Sequence, residues 1–155
     1  DADAIQIDEV GAVRELLENG ITSFQDAGAS FAAVDLYKDM VENGSLGVRL
    51  WVMLRASNTQ LAARLADYRI IGFGDDRLTV QAIKHQIDGA LGSHGAWLLE
   101  SYADLSDSAG LNTTPIETIE ETARLALEHG AGRTNKIQGF GQCAHVKEGG
   151  PGLPE

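Results

Sequence analysis

Cysteine is nearly absent from the 155 residues: Cys143 stands alone. No intrachain disulfide can form, nothing argues for a secreted disulfide scaffold, and a reducing, cytoplasmic setting is expected. Positive charge is scarce as well, with 12 Lys and Arg against 23 Asp and Glu and a formal net charge of −11. That balance repels phosphate backbones and anionic headgroups, so neither nucleic acid nor a membrane surface is an expected partner. No apolar run approaches the ~20 residues of a membrane-spanning helix, and the N-terminus lacks a basic-then-apolar signal pattern. Position 1 is Asp rather than Met, from which a processed or truncated chain is expected.

The sequence does have the balance of a globular domain, 43% apolar and 23% charged. Its length suits one domain or a piece of a larger one. Helical and strand-like segments alternate along it. Val10, Val13, Leu16 and Leu17 share a helix face that Asp8 would cap and Gly20 would end. Ile21 to Gln25 then suits a strand, with Asp26, Ala27 and Gly28 as the loop leaving it. Phe31, Val34, Tyr37, Met40 and Val41 predict a second helix, closed by Asn43 and Gly44. Val48 to Leu54, the most hydrophobic stretch, suits a strand buried on both faces of a parallel sheet. A third helix, capped by Ser57 or Asn58, runs to Tyr68 with Leu61 and Leu65 inward. After a turn at Gly72 to Asp76, Leu78 to Lys84 reads as a third strand.

Asp88 to Leu111 breaks this rhythm with glycines and acidic residues, and a loop of that length in an α/β domain tends to be functional. Thr114 and Glu117 then predict a capping box around Pro115. The helix that follows would bury Ile116, Ile119, Ala123, Ala126 and Leu127 and stop at Gly130. From Ala131 to Glu155 the chain has six glycines and two prolines, which predicts a loosely held tail. The fold class expected is α/β, with parallel strands alternating with helices. Residues 1–130 form the structured segment and 131–155 a Gly-rich tail.

Parallel α/β folds bind ligands beyond the carboxyl ends of their strands. That directs attention to Gln25 and Asp26, to Arg55, and to Lys84 with the loop from Asp88. A lysine ending a buried strand either reaches solvent or a salt bridge, or has a functional anion or metal to offset its desolvation.

Three strings carry a resemblance: GITSFQDAG (Gly20 to Gly28), VRLWVML (Val48 to Leu54) and AIKHQIDGALGSHGAWLLESYAD (Ala82 to Asp104). The most specific is the third, a strand ending in Lys, then Asp-Gly-small-Leu-Gly-Ser, then Tyr102 and Asp104. Together they resemble the amidohydrolase superfamily, nearest the branch that includes N-substituted formamide deformylases. The resemblance spans about Val10 to Gly130, less than half of a family member. It implies a segment of a (β/α)8 TIM-like barrel that hydrolyses amide or other C–N bonds of a small molecule. It also implies one or two divalent metals, zinc first, which polarise the carbonyl and activate water. Lys84 matches the family lysine that takes up CO2 to become an anionic metal ligand. His145, after Gly139-Phe140, matches a fifth-strand metal ligand or is a solvated tail histidine, and the tail would then hold a degraded fifth strand. Asp88, His94 and Tyr102 match the loop expected to meet substrate.

The His-x-His pair of the family's first strand is missing. A barrel segment with exposed sheet edges is therefore expected to form a homo-oligomer or to pair with the missing strands. One alternative is a non-catalytic binding or assembly module derived from such a barrel. Another is a metal-free hydrolase built on Asp26, Asp88, Glu100 and Asp104. His85 should pack behind the barrel wall, His129 should sit in a last helical turn, and Asp26 and Asp88 should either orient Lys84 or cap helices. Cys143 has no base or cation beside it in sequence and is not expected to act as a nucleophile.

Overall fold

The computed structural model describes residues 11–129. The expectations for Asp8, Gly130, His145, Cys143 and the tail lie outside them. Two compact units are present, one of residues 11–84 with 120–129, the other of His85–Ile119.

In the first unit, helix α1 covers residues 11–18 and buries Val13. Gly20, at φ 75°, ends it: the N–H groups of Gly20 and Ile21 donate to the carbonyls of Leu17 and Leu16 at 3.0 and 2.9 Å. Such a paired ending needs a left-handed residue, which glycine supplies without a Cβ clash. Strand β1 is Ser23–Ala29, helix α2 Phe31–Glu42, and strand β2 Arg49–Leu54. Helix α3 is Asn58–Tyr68, strand β3 Ile70–Gly72, the four-residue turn α4 Phe73–Asp76, and strand β4 Leu78–Ile83. The sheet order is β1-β2-β4-β3, with β1, β2 and β4 parallel and β3 antiparallel to β4.

β1 lies further along the chain than the local pattern predicts. Asp26, Ala27 and Gly28 are not a loop but part of β1, whose ladder with β2 runs from Ser23 opposite Arg49 to Ala29 opposite Leu54, with Asp26 on Val52 and Ala27 on Met53. A ladder with β2 outweighs the turn preference of Asp-Ala-Gly, and an irregularity between Ala27 and Ala29 takes up Gly28. β3 has no signal in the sequence, because its three residues carry no alternation and it meets β4 at one pair, Ile70 opposite Val80.

Leu50, Val52 and Leu54 on β2, with Leu78 and Val80 on β4, are buried in one cluster with α2 and α3. α2 supplies Phe31, Val34, Tyr37 and Met40 at regular helical spacing, and α3 supplies Leu61, Leu65 and Tyr68. The Ser30 hydroxyl caps α2 by accepting from the Ala33 N–H at 3.1 Å. Ser57 caps α3 in a reciprocal box with Gln60, so Ser57 rather than Asn58 is the cap.

Helix α5, Ile116–Glu128, keeps Ala126 of its predicted face buried and Ile119 and Ala123 half-buried, but not the two ends of that face. Thr122, Leu125 and Ala126 are buried, whereas Ile116 and Leu127 are 51% and 73% exposed. The Thr122 hydroxyl donates to Asn58 Oδ1 at 2.6 Å. A polar anchor at the start of α3 thus sets the helix rotation, which apolar periodicity alone does not register. Thr114 donates its hydroxyl proton to the Gln86 carbonyl at 2.6 Å, a link back to the start of the second unit.

Tyr68 joins α2 to α3. Its hydroxyl donates to Asp35 Oδ2 at 2.7 Å and accepts from Arg64 at 2.5 Å, and its ring meets Phe31 edge-on at 4.7 Å. The hydrogen bond to Asp35, then burial, hold the phenol above its ordinary pKa. A raised value means that this contribution is complete below the unfolded-state pKa and is lost as pH climbs through the folded one. Tyr68→Phe should lower unfolding free energy by about 1–2 kcal/mol at neutral pH. Urea denaturation should show that difference shrinking above about pH 10.

Candidate functional site

Backbone rungs at the carboxyl end of the sheet set three strand ends side by side. The Arg55 N–H donates to the Ala29 carbonyl at 2.8 Å, and the Lys84 N–H to the Leu54 carbonyl at 2.7 Å. Arg55 lies with its stem against Gly28: a Cβ at Gly28 would stand 3.7 Å from Arg55 Cδ. Lys84, the residue after β4, is only 5% exposed. Burial, and then the nearby Arg55 charge, push its amine below the ordinary lysine value. An amine so placed is more readily neutral, the form in which a lysine nitrogen can react.

Asp26 does not cap α2, whose cap is Ser30. Asp26 Oδ2 accepts from the Tyr37 hydroxyl at 2.9 Å and so ties β1 to α2. Nor is Gln25 beyond the strand; it pairs with Trp51 inside it. A groove of about 250 Å³ lined by Ala12, Glu15, Leu16, Asn19, Ile21 and Phe24 lies at the other end of β1, away from Arg55 and Lys84. It holds one carboxylate and little else that could react.

The second unit carries Asp88, His94 and Tyr102. Asp88 is 7% exposed; its Oδ2 accepts the Trp97 N–H at 3.0 Å, and Oδ1 is buried with no hydrogen-bond partner among the described residues. It closes the loop rather than capping a helix. The loop is drawn tight where Gly89 N–H donates to the Gly95 carbonyl at 2.9 Å and Gly95 N–H to the Ala90 carbonyl at 3.0 Å. At Gly110, φ is 83° and a Cβ would lie 1.9 Å from the Ala96 carbonyl oxygen, so only glycine fits.

His94 and Tyr102 are brought together, their rings 4.7 Å apart at 80°. Tyr102 is buried, and its hydroxyl donates to the Ala96 carbonyl at 2.9 Å. His94 Nε2 is 3.0 Å from Asp104 Oδ2, a partner that only the fold reveals. The hydrogen bond from His94 holds the Asp104 carboxyl below its ordinary range. His94 itself is left-handed, φ 56° and ψ 25°, which costs a side-chain-bearing residue about 1–2 kcal/mol. His85 is half-buried and His129 sits in the turn after α5, its N–H on the Leu125 carbonyl at 3.1 Å.

A divalent cation needs four or more donors in proteins. Among the described residues no three His, Cys, Asp or Glu side chains converge on one point. Lys84 fits as one donor, once converted to an oxygen ligand; the full set for a metal is not among these residues. No helix among them is long and apolar enough to cross a membrane.

These features define a parallel-sheet α/β protein with a buried, depressed lysine where such folds keep their chemistry. Residues 10–132 match the amidohydrolase family, and the chain belongs to it. A search of curated proteins gives no match. Among solved structures, an uncharacterized metal-dependent hydrolase from Pyrococcus furiosus is similar, with TM-score 0.63 and 24% identity over 78% of this chain and 25% of that one. Another from Pyrococcus horikoshii OT3 has TM-score 0.63 and 22% identity over 78% of this chain and 24% of that one. The chain thus spans about a quarter of either structure. Its mixed α/β, mainly parallel sheet is consistent with the barrel segment that the sequence implies.

Lys84→Met tests the electrostatics directly. For a depressed amine the folded ammonium is disfavoured, so stability should rise with pH between the folded and the unfolded pKa. Denaturation midpoints measured from about pH 7 to about pH 10.5 should show that rise in the wild type and a flatter profile in the variant.

Proposed function

We infer that the chain is part of a divalent-metal-dependent amidohydrolase that hydrolyses amide or other C–N bonds of a small molecule. The observation that carries this is Lys84: a lysine 5% exposed at the carboxyl end of a parallel strand, its amine depressed, within a chain of this family. In this reading CO2 adds to the neutral amine with loss of a proton, and the resulting carbamate is an oxygen donor to the metal, zinc first. His145 is a second ligand, and Asp88, His94 and Tyr102 meet the substrate. The branch nearest in motif is the one that includes N-substituted formamide deformylases. The remaining ligands come from a second copy of this chain or from strands that complete the barrel, and a cytoplasmic setting suits the lone cysteine.

A second reading is favoured by a specific observation: the sequence has no His-x-His pair and the described residues no three-donor cluster. It is a non-catalytic module built on an amidohydrolase segment. Metal analysis of protein purified without chelator separates the two. Near-stoichiometric zinc, iron or manganese in the wild type, lost in Lys84→Ala, is the outcome expected of the first. Metal-free protein in both cases would leave the second.

A further inference from the structure

Two helices of the first unit end in Asn-Gly, α1 at Asn19-Gly20 and α2 at Asn43-Gly44. In both pairs the glycine is left-handed, with φ 75° and 76°. In both its N–H is held by a helix carbonyl, Leu17 at 3.0 Å for Gly20 and Val41 at 3.1 Å for Gly44. Both asparagines are exposed, and nothing lies within 4 Å of where a Cβ would stand on either glycine.

The two side chains point in opposite directions. Asn19 Nδ2 donates to the Glu15 carbonyl at 2.9 Å, which turns the amide back along the helix. Asn43 Oδ1 reaches forward and accepts the Ser45 N–H at 2.9 Å. The ring closed by that bond contains both the Asn43 amide carbon and the Gly44 nitrogen. When a nucleophile adds to an amide carbon, its oxygen takes up negative charge, and an N–H already directed at that oxygen stabilises it. Asn43 has such a donor on its oxygen, whereas Asn19 is engaged through its nitrogen. Attack by the glycine nitrogen requires its N–H to leave the helix carbonyl, and the matching bonds at Gly20 and Gly44 make the two pairs equal in that respect.

We propose that Asn43 is a site of self-modification, at which the Gly44 nitrogen attacks the Asn43 amide carbon. A bond forms between that nitrogen and Cγ, the Cγ–Nδ2 bond breaks, and the proton of the Gly44 nitrogen departs with the ammonia. Water then opens the cyclic imide at one or other carbonyl, giving aspartate or isoaspartate. Either product puts a negative charge at the end of α2, where the last carbonyls already concentrate negative potential and where Asp39 and Glu42 lie just before it. Isoaspartate also routes the backbone through the side chain and lengthens it by a methylene. Leu46, 4% exposed with its N–H on the Met40 carbonyl at 3.0 Å, follows within three residues and leads into β2. The modification therefore loosens the joint between α2 and β2, whatever reaction the protein carries out.

The test ages the full chain in mildly alkaline buffer made with 18O water, with and without urea. Peptide mapping by mass spectrometry reads the label at each asparagine, and isoaspartyl methyltransferase reads isoaspartate. In the native chain Asn43 should take up label at least about tenfold faster than Asn19, the advantage of oriented over misdirected reacting groups. In urea neither side chain is held, and the two rates should converge. Asn43→Ser should remove the isoaspartate signal from its peptide and leave the Asn19 rate unchanged. Equal native rates, a faster Asn19, or no native reaction at Asn43 over the time in which the denatured chain reacts would overturn the proposal. So would a difference of the same size in urea, because its source would then be the sequence and not the fold.

Discussion

Strand β2 is the constraint on which the first unit depends. It is paired on both sides, to β1 and to β4, and its Leu50, Val52 and Leu54 are each at most 6% exposed. Parallel strands cannot be joined by tight turns, so each pairing requires a crossover. Helices α2 and α3 are those crossovers, and both are buried on the cluster that β2 centres. The same strand fixes the chemistry, because its last rungs set Arg55 beside Gly28 and Lys84 beside Leu54. A shift of one residue in β2 would exchange core and opposite faces along its length and move Lys84 out of position.

Lys84 shows how fold and reactivity are coupled here. Burying an amine is unfavourable, and placing a guanidinium nearby makes it more so. Both effects act against the ammonium, and both derive from where two strands end. The second unit solves a different problem. With no regular strand, it relies on glycine contacts, on Asp88 gripping the Trp97 N–H and on the Tyr102 hydroxyl to hold one loop shape. Rigidity of that kind is what a side chain needs if its ring is to face a ligand in one orientation.

Much of this was legible in the sequence. The uninterrupted apolar run at Val48 to Leu54 is a reliable sign of a two-sided buried strand, and Asn-Gly or Gly endings marked α1 and α2 correctly. Lys84 was legible because its strand was. What was hidden depends on distant partners. β1 was drawn past its local turn signals by pairing with β2; α5 took its rotation from Thr122 and Asn58, 64 positions apart. Asp26 looked like a cap, yet its partner is Tyr37, which no spacing rule connects to it. The link between His94 and Asp104 was hidden for the same reason: ten residues of loop carry no periodicity from which a contact can be read.

Gly110 has a bearing on how sequence variation in this protein will look. Its neighbour is a backbone carbonyl, which cannot swing aside as a side chain would. A saturation-mutagenesis map would therefore mark position 110 as intolerant, as sharply as any group that touches substrate. Such a signal, in the middle of a loop that also bears His94 and Asp104, would pass easily for a catalytic residue. Its source is the space that a single Cβ would need and that the Ala96 carbonyl already fills.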